Sequence, residues 1–180
     1  MSQLQSSVGF LFATLLATTP VAAADSDHSE HHHHHHHHEH IDYSKEFAAA
    51  QPAQNILVEQ CWIRLMPANV PSAGYFSLTN NQKEPIELLA ARTNNFELTM
   101  LHLTYEEEGM AKMKETAGIT IDAGQRLNFE PGGYHVMFEE PTTMPKVGEE
   151  MDLELLFDEA QKITTTCRVN SAKARSYDDE

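Results

Sequence analysis

From about Asn55 onward, short apolar runs recur along the chain with Gly, Pro and Asn between them. "ILVEQCWIRLM" is strand-like and stops at Pro67, and "AGYFSLTN" ends at the turn signal Asn80-Asn81. "IELLAART" and "FELTMLHLT" follow, parted by Asn94-Asn95; "GMAKMKE", "RLNF", "YHVMF", "MDLELLF" and "KITTTCRV" complete the series. No segment holds a long 3.6-residue period, so the pattern predicts an all-β domain, a β-sandwich or barrel, over residues 55–171. That length is enough for one two-sheet core. Residues 172–180 read as a polar, frayed tail.

The pattern before Asn55 is different. Residues 1–24 carry no charged side chain and hold the apolar run "VGFLFATLLATTPVAAA", which ends on small residues before Asp25. This reads as a secretory signal peptide with an A-x-A cleavage site, implying export. The run is short for a membrane span, and no Cys near the cleavage site suggests a lipid anchor. Residues 25–54 have few large apolar side chains and read as a flexible, disordered, histidine-rich tether.

All 12 Lys and Arg and all 27 Asp and Glu lie after residue 24, for a net charge of −15. That argues against nucleic acid or an anionic membrane surface as partner, and suits a cation as ligand. Cys61 and Cys167 lie in the first and last long strands. In an exported chain they are a candidate disulfide; two buried, unreactive thiols remain the alternative.

Histidine usage changes the picture most. Of 12 histidines, ten lie between His28 and His40, leaving only His102 and His135 in the domain. In "YHVMF", Tyr134, Val136 and Phe138 share one strand face and look like core. His135 and Met137 share the other face, about 7 Å apart along the backbone. Upstream, "MLHLTYEEEGMAKM" carries His102 on one arm of a hairpin with an acidic turn and Met113 on the other. Met100 and Met110 are candidate auxiliary donors. Two imidazoles and two thioethers form a soft, uncharged donor set, which suits Cu(I). A thioether also forms no disulfide in an oxidising compartment. Against this stands the ordinary use of Met as core filler.

The spacing His102, ten residues, Met113, twenty-one residues, His135, one residue, Met137 resembles the H-x10-M-x21-H-x-M signature of the periplasmic Cu(A) copper chaperones, the PCuAC family. "CWIRLMP", "SAGYFSLTN" and "EPGGYHVMF" are similar to further segments of that family. The resemblance implies a cupredoxin-like, Greek-key β-sandwich or barrel that binds Cu(I) through His102, Met113, His135 and Met137. It implies delivery to a copper-accepting protein, a cytochrome oxidase subunit at its Cu(A) site or a Sco-type protein. The chain departs from the family in its acidic hairpin turn and in "FEEPTTMP" after Met137, which leaves the docking partner open.

The tract itself, His28, His31, His32, His33, His34, His35, His36, His37, His38 and His40, is an auxiliary metal candidate for Cu(II) or Zn²⁺. Eight consecutive histidines look like a purification tag, whereas the flanking His28, Glu30, Glu39 and His40 favour a native arm. On a tether it would raise the local metal concentration and release metal on mild acidification.

Three functions compete. The favoured one is a monomeric copper chaperone without catalysis. An electron carrier would need a Cys ligand with a nearby His, and no His follows Cys167. A periplasmic copper or zinc buffer for metal tolerance would put the capacity in the tract. No Ser-His-Asp set, phosphate loop or convincing carboxylate pair points to an enzyme.

Overall fold

The structure is a computed structural model that describes residues 41–116 and 118–179. The chain order is α1 (Ser44–Ala49), β1 (Gln51–Pro52), β2 (Ile56–Arg64), β3 (Ser72–Asn80), β4 (Ile86–Arg92), β5 (Phe96–Glu107) and β6 (Met110–Glu115). Then come β7 (Ile119–Ile121), β8 (Arg126–Phe129), β9 (Tyr134–Pro141), β10 (Glu150–Phe157) and β11 (Gln161–Asn170). All nine strand-like stretches of the sequence are strands. The hydrogen-bonded path runs β6-β5-β9-β8-β3-β2-β11-β10-β4-β7, with β3 also pairing β9. The path does not close into a barrel, because β6 and β7 end it. It is the cupredoxin-like sandwich the sequence leads one to expect.

Alternation explains the layers. Val136 and Phe138 of β9 and Leu101 of β5 point inward from one half of the path. Leu153, Leu155 and Phe157 of β10, with Leu88 of β4, point inward from the other half, and all join one core. Gly74 of β3 faces this core: a Cβ there would lie 2.8 Å from the Phe138 ring and 3.1 Å from Ile63 Cδ1. The missing side chain is the space that Phe138 fills.

In β2 the alternation changes parity. Ile56 and Val58 face inward, and so do Cys61 and Ile63. The register against β3 shifts between Glu59 and Trp62, with Gln60 at φ 52°. This one-residue bulge turns Trp62 and Arg64 to the outer face. The two cysteines meet from adjacent strands, with Cα atoms 4.4 Å apart, as a Cys61–Cys167 disulfide within the core.

Two segments differ from the sequence reading. Residues 44–52, placed in the tether by composition, form α1 and β1. Phe47 and Ala50 pack on Leu156 of β10, Lys162 donates to the Phe47 carbonyl at 3.1 Å, and β1 pairs with β11. The tail is likewise packed: Ala174 is buried against Trp62 and Tyr75, and Asn170 donates to the carbonyls of Ser176 and Tyr177. Composition alone misses both, because each needs only one or two apolar contacts to anchor it. Residues 1–24 and the tract His28–His40 lie outside the described residues.

Candidate metal centre

Strand register brings the histidines and methionines together. His102 of β5 and His135 of β9 are direct cross-strand partners, and so are Met100 and Met137. Side chains at paired positions share a face, so all four lie on the outer face, opposite the Val136–Phe138 core. Met113 of β6 pairs with Thr104, which shares that face with His102. Met110 pairs with Glu107 and falls on the other face of the hairpin. The hairpin returns through Glu108 and Gly109, both at positive φ, the backbone sign that a tight two-residue β-turn requires. Register therefore gathers His102, Met113, His135 and Met137, adds Met100, and leaves Met110 out.

Met113, His135 and Met137 line one open cleft of ≈ 260 Å³. His102 stands next to it, its ring centroid 5.7 Å from that of His135 and the planes 81° apart. An ion bonded about 2 Å from a nitrogen of each ring can bridge such a separation. Met113 is 51% exposed, so its thioether is free to swing in, whereas each histidine is only 7% exposed.

The hydrogen bonding of the rings is asymmetric. His135 Nδ1 lies 3.1 Å from the Gly133 carbonyl. A carbonyl only accepts, so Nδ1 carries the proton and Nε2 keeps its lone pair for a ligand. The same carbonyl accepts from Thr104 N–H at 3.1 Å, which ties the "EPGG" turn to β5. His102 Nδ1 is buried and has no hydrogen-bond partner. A buried polar atom without a partner is costly, and a bound ion nearby would offset that cost.

Both imidazoles are held below their ordinary pKa. For His102 the main cause is burial, followed by the neighbouring His135, with Glu115 acting the other way. For His135 it is again burial, partly opposed by the Gly133 hydrogen bond and reinforced by Arg64. Neutral imidazole is the metal-binding form. Among the described residues no three His, Cys, Asp or Glu side chains cluster as a metal site. The donors that gather here by register are two imidazoles and the thioethers of Met100, Met113 and Met137. Both cysteines are bonded to each other, so the oxidised chain offers no thiolate.

Of the cleft residues that were not singled out from the sequence, Arg64 and Tyr75 carry the largest polar side chains. "CWIRLMP" contains Arg64, but its facing depends on the β2 bulge, which has no signal in the apolar pattern.

The two-layer β fold matches that of PCuAC domains. The LpqE-like family model matches residues 56–169, and the chain belongs to that family, which is of the PCuAC type. The apo PCuAC domain of PmoF2 superposes with a TM-score of 0.58 at 21% identity, covering 68% of this chain and 95% of that one. The solution structure of CuI-DR1885 from Deinococcus radiodurans has a TM-score of 0.52 at 28% identity, covering 71% of this chain and 85% of that one. Uncharacterized protein RP573 of Rickettsia prowazekii (strain Madrid E) is 29% identical over 94 residues, 51% of this chain. The match spans about half, 52%, of that relative's length.

Proposed function

We propose that the protein is an exported copper chaperone that holds one Cu(I) between His102, Met113, His135 and Met137 and passes it to an acceptor. The observation that carries this reading is the shared outer face of β5, β6 and β9, where register collects two neutral imidazoles and two thioethers around a cleft. The structural relative DR1885 was solved in its CuI form, which supports the same cargo here. Four uncharged donors leave only one positive charge to accommodate, a reason to favour Cu(I) over a dication. An open cleft lets an acceptor's ligands approach the ion and exchange it stepwise. The acceptor we favour is a Cu(A)-bearing cytochrome oxidase subunit or a Sco-type thiol protein in the periplasm. In this layout residues 1–24 direct export and His28–His40 gather Cu(II) or Zn²⁺ near the domain.

The second reading, a copper or zinc buffer, is favoured only by the ten histidines of the tract. Cu(I) titration against a competing chelator separates the two when run on the wild type, on a deletion of residues 28–40, and on Met113→Ala. The chaperone reading expects the tract deletion to keep one tight Cu(I) and Met113→Ala to weaken it. Loss of all tight binding on deletion of the tract would establish the buffer instead.

A further inference from the structure

The cleft contains a cation that the proposed ligand set does not use. Because of the β2 bulge, Arg64 faces outward and sits across from Ala73 of β3, which in turn sits across from Met137 of β9. Adjacent strands are about 4.8 Å apart, so two steps separate the Arg64 and Met137 backbones by about 10 Å. Ala73 is the residue between them in the register, and Arg64 lines the cleft together with Met113, His135 and Met137. Arg64 Nη2 donates to the Tyr75 hydroxyl, and its guanidinium carbon lies 5.3 Å from the Tyr75 ring centroid. The Tyr75 ring is itself 6.3 Å from the His135 ring. The guanidinium is thus held in place by Tyr75, one ring away from a candidate ligand.

Its charge is not cancelled locally. In a chain of net charge −15, the ion pairs among the described residues join Arg92, Lys112, Arg126 and Lys162 to glutamates, and none includes Arg64. A guanidinium stays charged across the working pH range. The nearest carboxylate on the site face by register is Glu139 of β9, two residues beyond Met137 and across from Leu98, and it forms no ion pair with Arg64; Glu115, opposite His102 on β6, is exposed and lies farther away.

We propose that Arg64 is a specificity-determining residue: its fixed positive charge at the cleft wall discriminates against divalent ions and so keeps the site for Cu(I). This rests on the reading of His102, Met113, His135 and Met137 as the Cu(I) ligands. Coulomb energy scales with the product of charges, so a dication is repelled twice as strongly as a monocation at the same position. The neutral ligand set supplies no negative charge to offset the difference. At a separation of roughly 8 Å and an effective dielectric of roughly 20 to 40, one unit of ion charge corresponds to about a tenfold change in affinity.

The test uses the full chain as wild type, Arg64→Lys, Arg64→Gln and Arg64→Met, the last as a second neutral variant should Gln disturb folding. The ε-methyl NMR signals of Met113 and Met137 report occupancy of this site alone, and the apo spectrum reports folding. Cu(I) and Cu(II) are each supplied from buffers of fixed free-ion concentration, so the histidine tract cannot bias the comparison. The neutral variants should gain about tenfold in Cu(II) affinity relative to Cu(I), equivalent to a fall of about 59 mV in the copper midpoint potential. Arg64→Lys, which keeps the charge, should stay within about twofold of wild type. An unchanged ratio in the neutral variants, no measurable Cu(II) binding by them, or an equal change in Arg64→Lys would overturn the inference. Failure of wild-type Cu(I) to shift the Met113 and Met137 methyls would instead overturn the ligand assignment on which it rests.

Discussion

His135 has one ring nitrogen committed to the Gly133 carbonyl and the other free, whereas His102 has a buried nitrogen with no partner. Removing a ligand should cost more than disturbing its support, which typically costs 10- to 100-fold in metal affinity. His135→Ala is therefore expected to weaken Cu(I) by at least about 100-fold in a chelator competition. Met100→Leu should weaken it far less than Met113→Leu, because Met100 lies on the shared face but outside the four proposed ligands. A larger effect at Met100 would move the ion toward the Met100–Met137 pair. The histidines also set a pH dependence. Their folded pKa values lie below the ordinary value near 6.5, so on acidification the unfolded chain takes up protons first. Stability of the copper-free protein should be level above about pH 6.5 and fall as the pH drops below it, more steeply than in a His102→Gln, His135→Gln double variant. Urea unfolding at a series of pH values measures this; equal slopes in the two proteins would contradict it.

At the scale of elements, the site depends on strand pairing. The alternation in "YHVMF" already separates His135 and Met137 from the core residues Val136 and Phe138, so this half of the site is legible in the sequence. The pairing of His102 with His135 follows from register, which short apolar runs do not reveal by themselves. Arg64 is less legible still, because its facing is set by one extra residue near Gln60 in β2. The helix α1 and the strand β7, at six and three residues, are too short to leave a periodic signal. Gly74 shows a different constraint, a position where even a methyl group meets Phe138 and Ile63. Gly74→Ala should destabilise the domain by about 1–3 kcal/mol through overpacking, measured by denaturant unfolding. Because Gly74 lies between Ala73 and Tyr75, its replacement should also weaken Cu(I), through displacement of β3 against β9. An unchanged stability would mean that the Phe138 ring moves aside freely.

Over the whole molecule, the Cys61–Cys167 bond links the first long strand to the last across 106 residues. Cross-linking a loop of that size restricts the unfolded chain, by about 4–5 kcal/mol in the chain-entropy description. Reduction should therefore lower the unfolding midpoint markedly. It should leave one Cu(I) bound while the protein remains folded, because thioethers and imidazoles are not reduced. Copper lost on reduction of a still-folded chain would mean that the cysteines support the site directly. Composition made the acidic charge and the isolation of His102 and His135 visible, and the apolar pattern made the all-β class visible. Neither could show that residues 44–52 and the tail pack on the sandwich, since each is anchored by only one or two buried residues, Phe47 with Ala50 and Ala174.

The central claim is that a mixed sulfur and nitrogen shell from three strands holds a single monovalent ion. X-ray absorption at the copper edge, on the full chain loaded with one equivalent of Cu(I), tests it most directly. Two sulfur and two nitrogen scatterers, with the sulfur contribution reduced in Met113→Ala, is the predicted result. A shell of nitrogen alone, unchanged by Met113→Ala, would place the copper elsewhere and contradict the account.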